Sequence, residues 1–232
     1  MTSALDAGVE FEALYVESGA VEKFRELLMR AESLGVRVFV LDNGMAEKVA
    51  DASTPQPLLA SVRFNPGGLS DLTFEGTVLV VHNLRDPGNV GTMIRSAAAF
   101  GASAVVISGQ SVDPYNPKTL RATAGAIFRL PVVVAPDLEV VTTTAHQNHS
   151  HVVATVVRGG DSFAAQPVSR SVTIVIGSEA EGLNEEELQL ADQRVTLPMS
   201  GGTESLNAGV AAGILLYLAQ EAKGHDDFEV AP

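Results

Sequence analysis

Five short runs that are rich in valine and isoleucine limit the fold of this chain more than any other feature. They cover residues 77–81, 104–107, 132–135, 152–157 and 172–176. Continuous apolar runs of this length are typical of strands that are buried on both faces of a parallel sheet. Helical patterns lie between them at residues 90–100, 117–123 and 138–146. The alternation predicts an α/β fold with a mostly parallel sheet and with ligands at the carboxyl ends of its strands.

The last part of the chain continues this pattern. Asn184 is placed to cap a helix over residues 185–191, whose first turn is acidic, as the helix dipole favours. A short strand over residues 195–197 and an amphipathic helix over residues 208–223 follow. We expect residues 70–232 to form one domain.

Residues 1–66 predict a small, separate α/β domain. A strand over residues 11–16, a helix over residues 20–34 that ends at Gly35, a strand over residues 36–41 and a short helix over residues 46–50 precede a Pro-rich piece at residues 54–57. The sequence Asn65-Pro-Gly-Gly68 is the best linker candidate. The domain reads as truncated at its start, because Leu5 stands almost directly before the first strand.

Composition excludes several classes of protein. The chain has no cysteine, which rules out disulfides and thiolate metal sites and fits a reducing cytoplasm. No secretory signal is visible, and residues 208–218 are too short to span a bilayer, so we expect a soluble, cytoplasmic protein with no membrane partner.

The charge of the chain is unevenly distributed. A net charge of −13 is opposite to the basic surface typical of nucleic-acid-binding proteins. Between residues 85 and 129, however, the cations outnumber the acids Asp86 and Asp113, which predicts a local cationic face. The cations are Arg85, Arg95, Lys118, Arg121 and Arg129.

Familiar nucleotide and metal signatures are missing. The chain has no Gly-x-Gly-x-x-Gly after a strand, no phosphate-binding Gly-x-x-x-x-Gly-Lys loop and no Gly-x-Ser-x-Gly elbow. His146, His149 and His151 are better interpreted as part of a solvated turn than as metal ligands, and we expect no metal. What remains is glycine turns at strand ends, Gly177 and Gly201-Gly202, where a ligand can approach the backbone closely.

Three segments combine such turns with polar groups. They are residues 83–101, which contain Asn89 and Arg95, residues 176–184, which contain Glu179, and residues 197–207, which end on Ser205 and Asn207. In this order they resemble the three signature motifs of the SpoU/TrmH family of RNA 2'-O-ribose methyltransferases, within the SPOUT superfamily. The resemblance covers residues 77–220. The departures are small: Ala180 stands where glycine is common, and Ala208-Gly209 replaces valine-serine.

The resemblance implies a fold, a cofactor and a substrate. The second domain is expected to close with a C-terminal trefoil knot, and the first to bind substrate with a fold resembling a ribosomal protein. S-adenosyl-L-methionine is the expected methyl donor, and structured rRNA or tRNA the expected substrate. By position, the cofactor contacts are Thr155, Gly177, Leu197, Met199 and Leu206.

The same resemblance implies the catalytic set Arg95, Asn89, Glu179, Ser205 and Asn207. Some accounts of the family make the arginine a general base. A guanidinium stays protonated in proteins, so we expect Arg95 to clamp the RNA phosphate and orient the 2'-hydroxyl instead. Glu179 would organise the loops and Asn89, while Asn207 also stands where it can cap the last helix.

Three questions stay open at this point. Family members form homodimers, and Leu206, Val210, Ile214, Leu215 and Leu218 could supply the dimer face or belong to the core of one chain. A catalytically silent RNA-binding or assembly protein on the same scaffold is the main alternative function. An ordinary doubly wound nucleotide-binding enzyme is the second, and its missing phosphate loops argue against it.

Overall fold

The fold is described by a computed structural model, which covers residues 1–49, 56–64, 67–163, 171–200 and 205–222. Contacts between Cα atoms divide the chain into two compact units, Met1–Asn65 and Pro66–Pro232. Parts of the predicted Pro-rich piece and linker (residues 54–55 and 65–66), the turn at Gly201-Gly202 and the predicted end of the last helix at residue 223 lie outside the described residues.

The first unit is a three-stranded sheet with short helices. Its central strand β1 pairs in parallel with β2 and antiparallel with β3. The elements are α1 (Thr2–Asp6), β1 (Glu10–Glu17), α2 (Arg25–Ser33), β2 (Val38–Leu41), α3 (Met45–Val49) and β3 (Leu58–Arg63).

Two features of this unit differ from the sequence prediction. The helix that was predicted from residue 20 begins at Arg25, because Ser18–Ala20 forms a 3-10 turn instead. The strand β3, between the Pro-rich piece and the linker candidate at residues 65–68, was not predicted. It completes the sheet, and its Leu58 joins Leu14 and Val16 in the small core.

The second unit is built on a seven-stranded sheet in which every described strand pair is parallel. The strand order is β6-β5-β4-β9-β7-β10-β8. The elements are β4 (Thr77–His82), α4 (Pro87–Ala99), β5 (Ala104–Ser108), α5 (Pro117–Ala122), β6 (Val132–Ala135), α6 (Leu138–Gln147), β7 (His151–Thr155), β8 (Asp161–Ser162), β9 (Val172–Ile176), α7 (Glu185–Leu188), β10 (Gln193–Thr196) and α8 (Ala208–Glu221). The α/β class with a mostly parallel sheet is confirmed.

Burial explains why the predicted strands are continuous apolar runs. All six residues of β4 are buried. Leu79 and Val81 pack on one face of the sheet against α4 and α8. Val78 and Val80 pack on the other face against α6 and α7. Helices on both faces leave β4 no side that water can reach, so an alternating pattern there would place polar groups in a core.

Polar caps fix where the helices of this unit begin. Asp86 accepts a hydrogen bond from the backbone N–H of Asn89, and Pro87 occupies the first helical position of α4. This explains why α4 starts before residue 90, where the apolar periodicity begins. Asn184 and Asn207 cap α7 and α8 in the same way. No helix in the described ranges combines the length and the apolar character that a bilayer crossing requires.

The half-buried phenol of Tyr115 links the loop after β5 to the strand β6. Its Oη donates to the carbonyl oxygen of Val132 over 2.9 Å. Burial, assisted by the charge of Asp113, raises the pKa of Tyr115 to about 12. The folded state therefore favours the neutral phenol, and this contribution to stability is full below pH about 10 and is lost as the pH rises to about 12.

We expect Tyr115→Phe to lower the free energy of unfolding by about 1 kcal/mol near neutral pH, because it leaves a strand carbonyl unpaired. It should also remove the most alkaline step from an ultraviolet titration of the tyrosines. Tyr217→Phe is the control, since it keeps the ring that contacts Phe100. Survival of the most alkaline step in Tyr115→Phe would contradict the assignment.

Candidate active site

A cleft lined mainly by apolar side chains opens where β7, β9 and β10 end, beside the start of α8. We call it the apolar cleft. It contains about 700 Å³ of free space, part of it open to solvent. It is lined by residues 155–157, 176–179, 182, 195–197, 199, 205, 206, 208, 211 and 215.

All five residues that the sequence resemblance assigned to the cofactor line this cleft. They are Thr155, Gly177, Leu197, Met199 and Leu206. They come from the ends of three adjacent strands and from the segment before α8. The structure therefore brings together positions that are far apart in the chain.

Two of these residues also hold the cleft in shape. The hydroxyl of Thr155 donates to the carbonyl oxygen of Val175 over 2.9 Å and ties β7 to β9. A Cβ at Gly177 would lie 2.5 Å from the backbone carbon of Gly182, so no other residue fits without moving the loop. This close approach lets residues 178–182 fold back as a tight loop, in which Ser178 and Gly182 exchange backbone hydrogen bonds of 3.2 and 2.9 Å.

A chain of hydrogen bonds at the rim of the cleft joins all three sequence motifs. The side-chain oxygen of Asn207 accepts from the N–H of Val210 at 3.2 Å. Its amide nitrogen donates to the side-chain oxygen of Asn89 at 3.0 Å, and the amide nitrogen of Asn89 donates to Glu179. Each amide uses its oxygen as acceptor and its nitrogen as donor, so the chain has one consistent direction.

Ser205 lines the apolar cleft as well, so four of the five predicted catalytic residues gather at this edge. Arg95 is the exception. It lies about 120° around α4 from Asn89, is exposed, and lines neither cleft of its own chain. Among the described residues it forms no hydrogen bond or ion pair.

A second cleft lies on the other side of the 178–182 loop and was not predicted from the sequence. We call it the polar cleft. It lies where β4, β5 and β9 end, and it is lined by Asn83, Arg85, Gln110, Ser178, Glu179, Ala180, Glu181, Gly182, Asn184 and Glu187. Glu179 belongs to both clefts. Sequence reasoning missed it because its polar residues come from the loops after β4, β5 and β9 and from α7, which are far apart in the chain.

A buried histidine supports this second cleft. His82, at the end of β4, is 5% exposed. Its Nε2 lies 2.9 Å from Oε1 of Glu187, and its Nδ1 lies 2.9 Å from Oγ of Ser108. The amide nitrogen of Asn83 lies 2.8 Å from the same Nε2, so this ring nitrogen contacts both a carboxylate acceptor and an amide donor, while Nδ1 and the serine hydroxyl share one hydrogen bond. The histidine thus connects the ends of β4 and β5 to α7.

The five basic residues from which we predicted a cationic face are all exposed. They are Arg85, Arg95, Lys118, Arg121 and Arg129. None of them pairs with an acid in the described part of the chain. Arg85 donates to the side chain of Gln110 at 3.0 Å. Their charges are therefore available to a polyanion.

The histidines predicted to lie in a solvated turn have a different arrangement. His146 and His151 flank Asp192, with ring nitrogens 3.2 and 3.5 Å from its Oδ2, and both are partly exposed. Within the described ranges no group of three or more His, Asp or Glu is placed to hold a metal ion.

Comparison with known proteins places these features in a family. The model of the SpoU rRNA Methylase family matches residues 76–217. The chain is 32% identical over 200 residues to the 23S rRNA (guanosine(2553)-2'-O)-methyltransferase RlmP of Bacillus subtilis (strain 168), covering 83% of this chain and 79% of that protein.

Two solved structures that contain AdoMet have a similar fold. The AdoMet-bound rRNA methyltransferase from Sinorhizobium meliloti has a TM-score of 0.79 and 28% identity, and the match covers 95% of this chain and 83% of that one. The SpoU methyltransferase AviRb from Streptomyces viridochromogenes, in complex with the cofactor AdoMet, has a TM-score of 0.82 and 26% identity, covering 96% and 87%.

Asn89→Asp should break the hydrogen-bond chain at its centre. An aspartate has no N–H to donate to Glu179, and it places a second carboxylate against it. We expect the free energy of unfolding to fall by about 1–3 kcal/mol at neutral pH, with partial recovery at acidic pH as one carboxyl group is protonated. Urea unfolding at several pH values measures this.

Asn116→Asp is the matched control. Asn116 caps α5, and its side chain only accepts, from the N–H of Lys118 at 2.9 Å, so aspartate can replace it. Equal losses of stability in the two variants would show that the hydrogen bond donated by the Asn89 amide to Glu179 does not contribute to stability.

Proposed function

Since the chain belongs to the SpoU rRNA methylase family, we propose that its apolar cleft is the catalytic centre of an RNA 2'-O-methyltransferase. The enzyme transfers a methyl group from S-adenosylmethionine to a ribose 2'-hydroxyl of rRNA or tRNA. The observation that carries the site assignment is the hydrogen-bond chain that joins Asn207, Asn89 and Glu179 at the rim of this cleft.

The residues of the apolar cleft fit the cofactor. Ile176, Leu197 and Leu206 supply apolar walls for the adenine ring, and strand-end backbone groups are available for its polar edge. Glu179 adds a negative charge beside a ligand that carries a sulfonium and an ammonium group. When bound, S-adenosylmethionine supplies an electrophilic methyl group.

The rim residues orient the acceptor. Asn89 is held at both ends of its amide, by Asn207 and by Glu179. A side chain fixed in this way presents its remaining polar surface in one direction, and such positioning lowers the barrier to methyl transfer. The proton of the 2'-hydroxyl would pass to water at the open side of the cleft. Ser205, on the same rim, offers a hydroxyl to the ribose.

Arg95 is proposed to act on the cleft of a second subunit. It lines neither cleft of its own chain, yet it is exposed and unpaired among the described residues. In a homodimer it would clamp an RNA phosphate and so align the 2'-hydroxyl. Its guanidinium cannot serve as a base because it stays protonated.

One face of α8 supports the homodimer. Val210, Ile214 and Tyr217 recur at helical spacing and are 50%, 38% and 45% exposed. Leu215, which the sequence suggested for the same face, belongs to the core instead at 2% exposed. Leu218 is half-buried against that core. The dimer face is therefore narrower than the sequence suggested, and it includes Tyr217.

The finer features of the fold are part of the proposal. A trefoil knot in the second unit is supported by the likeness to SpoU structures. A substrate-binding role for Met1–Asn65 is supported by its separate compactness and by its own three-stranded sheet. The exposed cations between Arg85 and Arg129 would continue the RNA surface. The enzyme would meet rRNA or tRNA in the cytoplasm.

Arg95→Ala separates catalysis from cofactor binding. We expect calorimetry to show unchanged affinity for S-adenosylmethionine, and radiolabel transfer to RNA to fall by about 100-fold or more, because only alignment is lost. Alkaline hydrolysis then identifies ribose methylation, since a 2'-O-methyl group blocks scission. Arg121→Ala should instead raise KM and weaken the salt dependence. A chain that binds no S-adenosylmethionine would support the silent RNA-binding alternative.

Mixing two inactive variants tests the action of Arg95 across subunits. Arg95→Ala keeps an intact cleft, and Glu179→Gln keeps an intact arginine. Refolding them together should restore roughly a quarter of wild-type activity, because half of the dimers are mixed and each has one complete site. Ile214→Glu should yield monomers by light scattering. Activity in those monomers, or no rescue on mixing, would contradict the shared site.

A further inference from the structure

The polar cleft adjoins the apolar cleft, because Ser178, Glu179 and Gly182 line both. A hydroxyl that attacks a methyl group must approach it to about 3 Å, and Glu179, which ends the hydrogen-bond chain at the rim of the apolar cleft, also lines the polar cleft. A ribose held at this rim would have the polar cleft beside it. This step rests on the proposed function.

The walls of the polar cleft are held in place before any ligand arrives. Asn83 adopts a left-handed backbone conformation with a φ of 57°, and its side-chain oxygen accepts from the N–H of Gln110 at 2.8 Å. A Cβ at Gly109 would lie 2.3 Å from that oxygen, so the two loops fit only with glycine. His82 and Glu187 connect these loops to α7. The cleft is preorganised.

Several polar groups in this cleft are left over after the internal hydrogen bonds are counted. Glu187 uses both oxygens, on His82 and on the N–H of Asn184. Within the described residues the carboxylate of Glu181 has no partner, and Glu179 uses one oxygen. The amide nitrogens of Gln110 and Asn184 and part of the Arg85 guanidinium also remain free. The cleft thus offers carboxylate acceptors beside neutral and cationic donors.

The charge of the cleft argues against a phosphate there. Glu179, Glu181 and Glu187 stand against the single cation Arg85, so a phosphate would meet more repulsion than attraction. An uncharged group with both donors and acceptors fits better. The edge of a nucleobase is such a group, and unstacked RNA bases are commonly recognised along that edge.

We propose that the polar cleft receives the base of the methylated nucleotide and that this base is guanine. Among the four bases only guanine carries two adjacent N–H donors, on N1 and N2, next to the acceptor O6. Two adjacent donors match one carboxylate, which accepts on both oxygens, and Glu181 is free to do so. O6 then faces the donors of Arg85 and Gln110, in keeping with the preference of arginine for this atom.

The identity of the methylated nucleoside tests this directly. The probe is unmodified transcripts of bacterial rRNAs and tRNAs, offered as free RNA and as reconstituted ribosomal subunits with S-adenosylmethionine. Nuclease digestion and mass spectrometry should find 2'-O-methylguanosine. Methylation of the ribose of adenosine, cytidine or uridine would overturn the guanine cleft while leaving the proposed function intact. Base methylation, or no methylated nucleoside, would overturn the proposed function itself.

Glu181→Gln tests the contact. Glutamine keeps the shape but turns an N–H toward the donors of guanine. We expect kcat/KM for the RNA to fall by about tenfold or more, mainly through KM, with unchanged affinity for S-adenosylmethionine as proof of folding. Glu186→Gln is the matched control, since Glu186 is exposed on α7 and lines neither cleft. Equal activity in the two variants would overturn the assignment.

Discussion

The hydrogen-bond chain from Val210 through Asn207 and Asn89 to Glu179 is the constraint on which the rest of the site depends. Its side-chain links join residues that are 118 and 90 positions apart, so no local structure could form them. Each amide has a fixed direction, because one end accepts and the other donates. This row of hydrogen bonds can form only when α4, α8 and the loop after β9 are all in place. Its formation fixes the position of Glu179, which lines both clefts.

Much of this arrangement could be predicted from the sequence because its causes are local. Doubly buried strands must be continuously apolar, so the runs at β4, β5 and β9 were recognisable without any contact information. The three motifs indicated which polar residues were candidates for the site. Four of the five catalytic candidates and all five cofactor candidates lie at one edge of the sheet. The start of α4 was misjudged because apolar periodicity begins at Val90, whereas the cap at Asp86 decides the boundary.

The features that escaped sequence reasoning depend on contacts between distant segments. Nothing in the residues near His82 reveals that its ring bridges Ser108 and Glu187. The polar cleft follows from a strand order in which β4 lies between β5 and β9, and that order has no local signature. Arg95 shows the opposite case: the motif identified it, but its own chain gives it nothing to act on among the described residues. Its role stays a prediction that requires a second subunit.

The uneven distribution of charge, with exposed cations on one side and the acids of the polar cleft on the other, would explain how a strongly acidic chain can bind RNA. A net charge of −13 would oppose RNA if it were spread evenly, yet the cations from Arg85 to Arg129 are exposed and unpaired with acids among the described residues. Interactions beyond about 10 Å are largely screened at physiological salt, so these local cations decide whether a phosphate can approach. The acids at Glu179 and Glu181 lie where an uncharged base, not a phosphate, would be received. In the proposed arrangement the exposed cations would attract the backbone, and the polar cleft would select the base that the backbone presents.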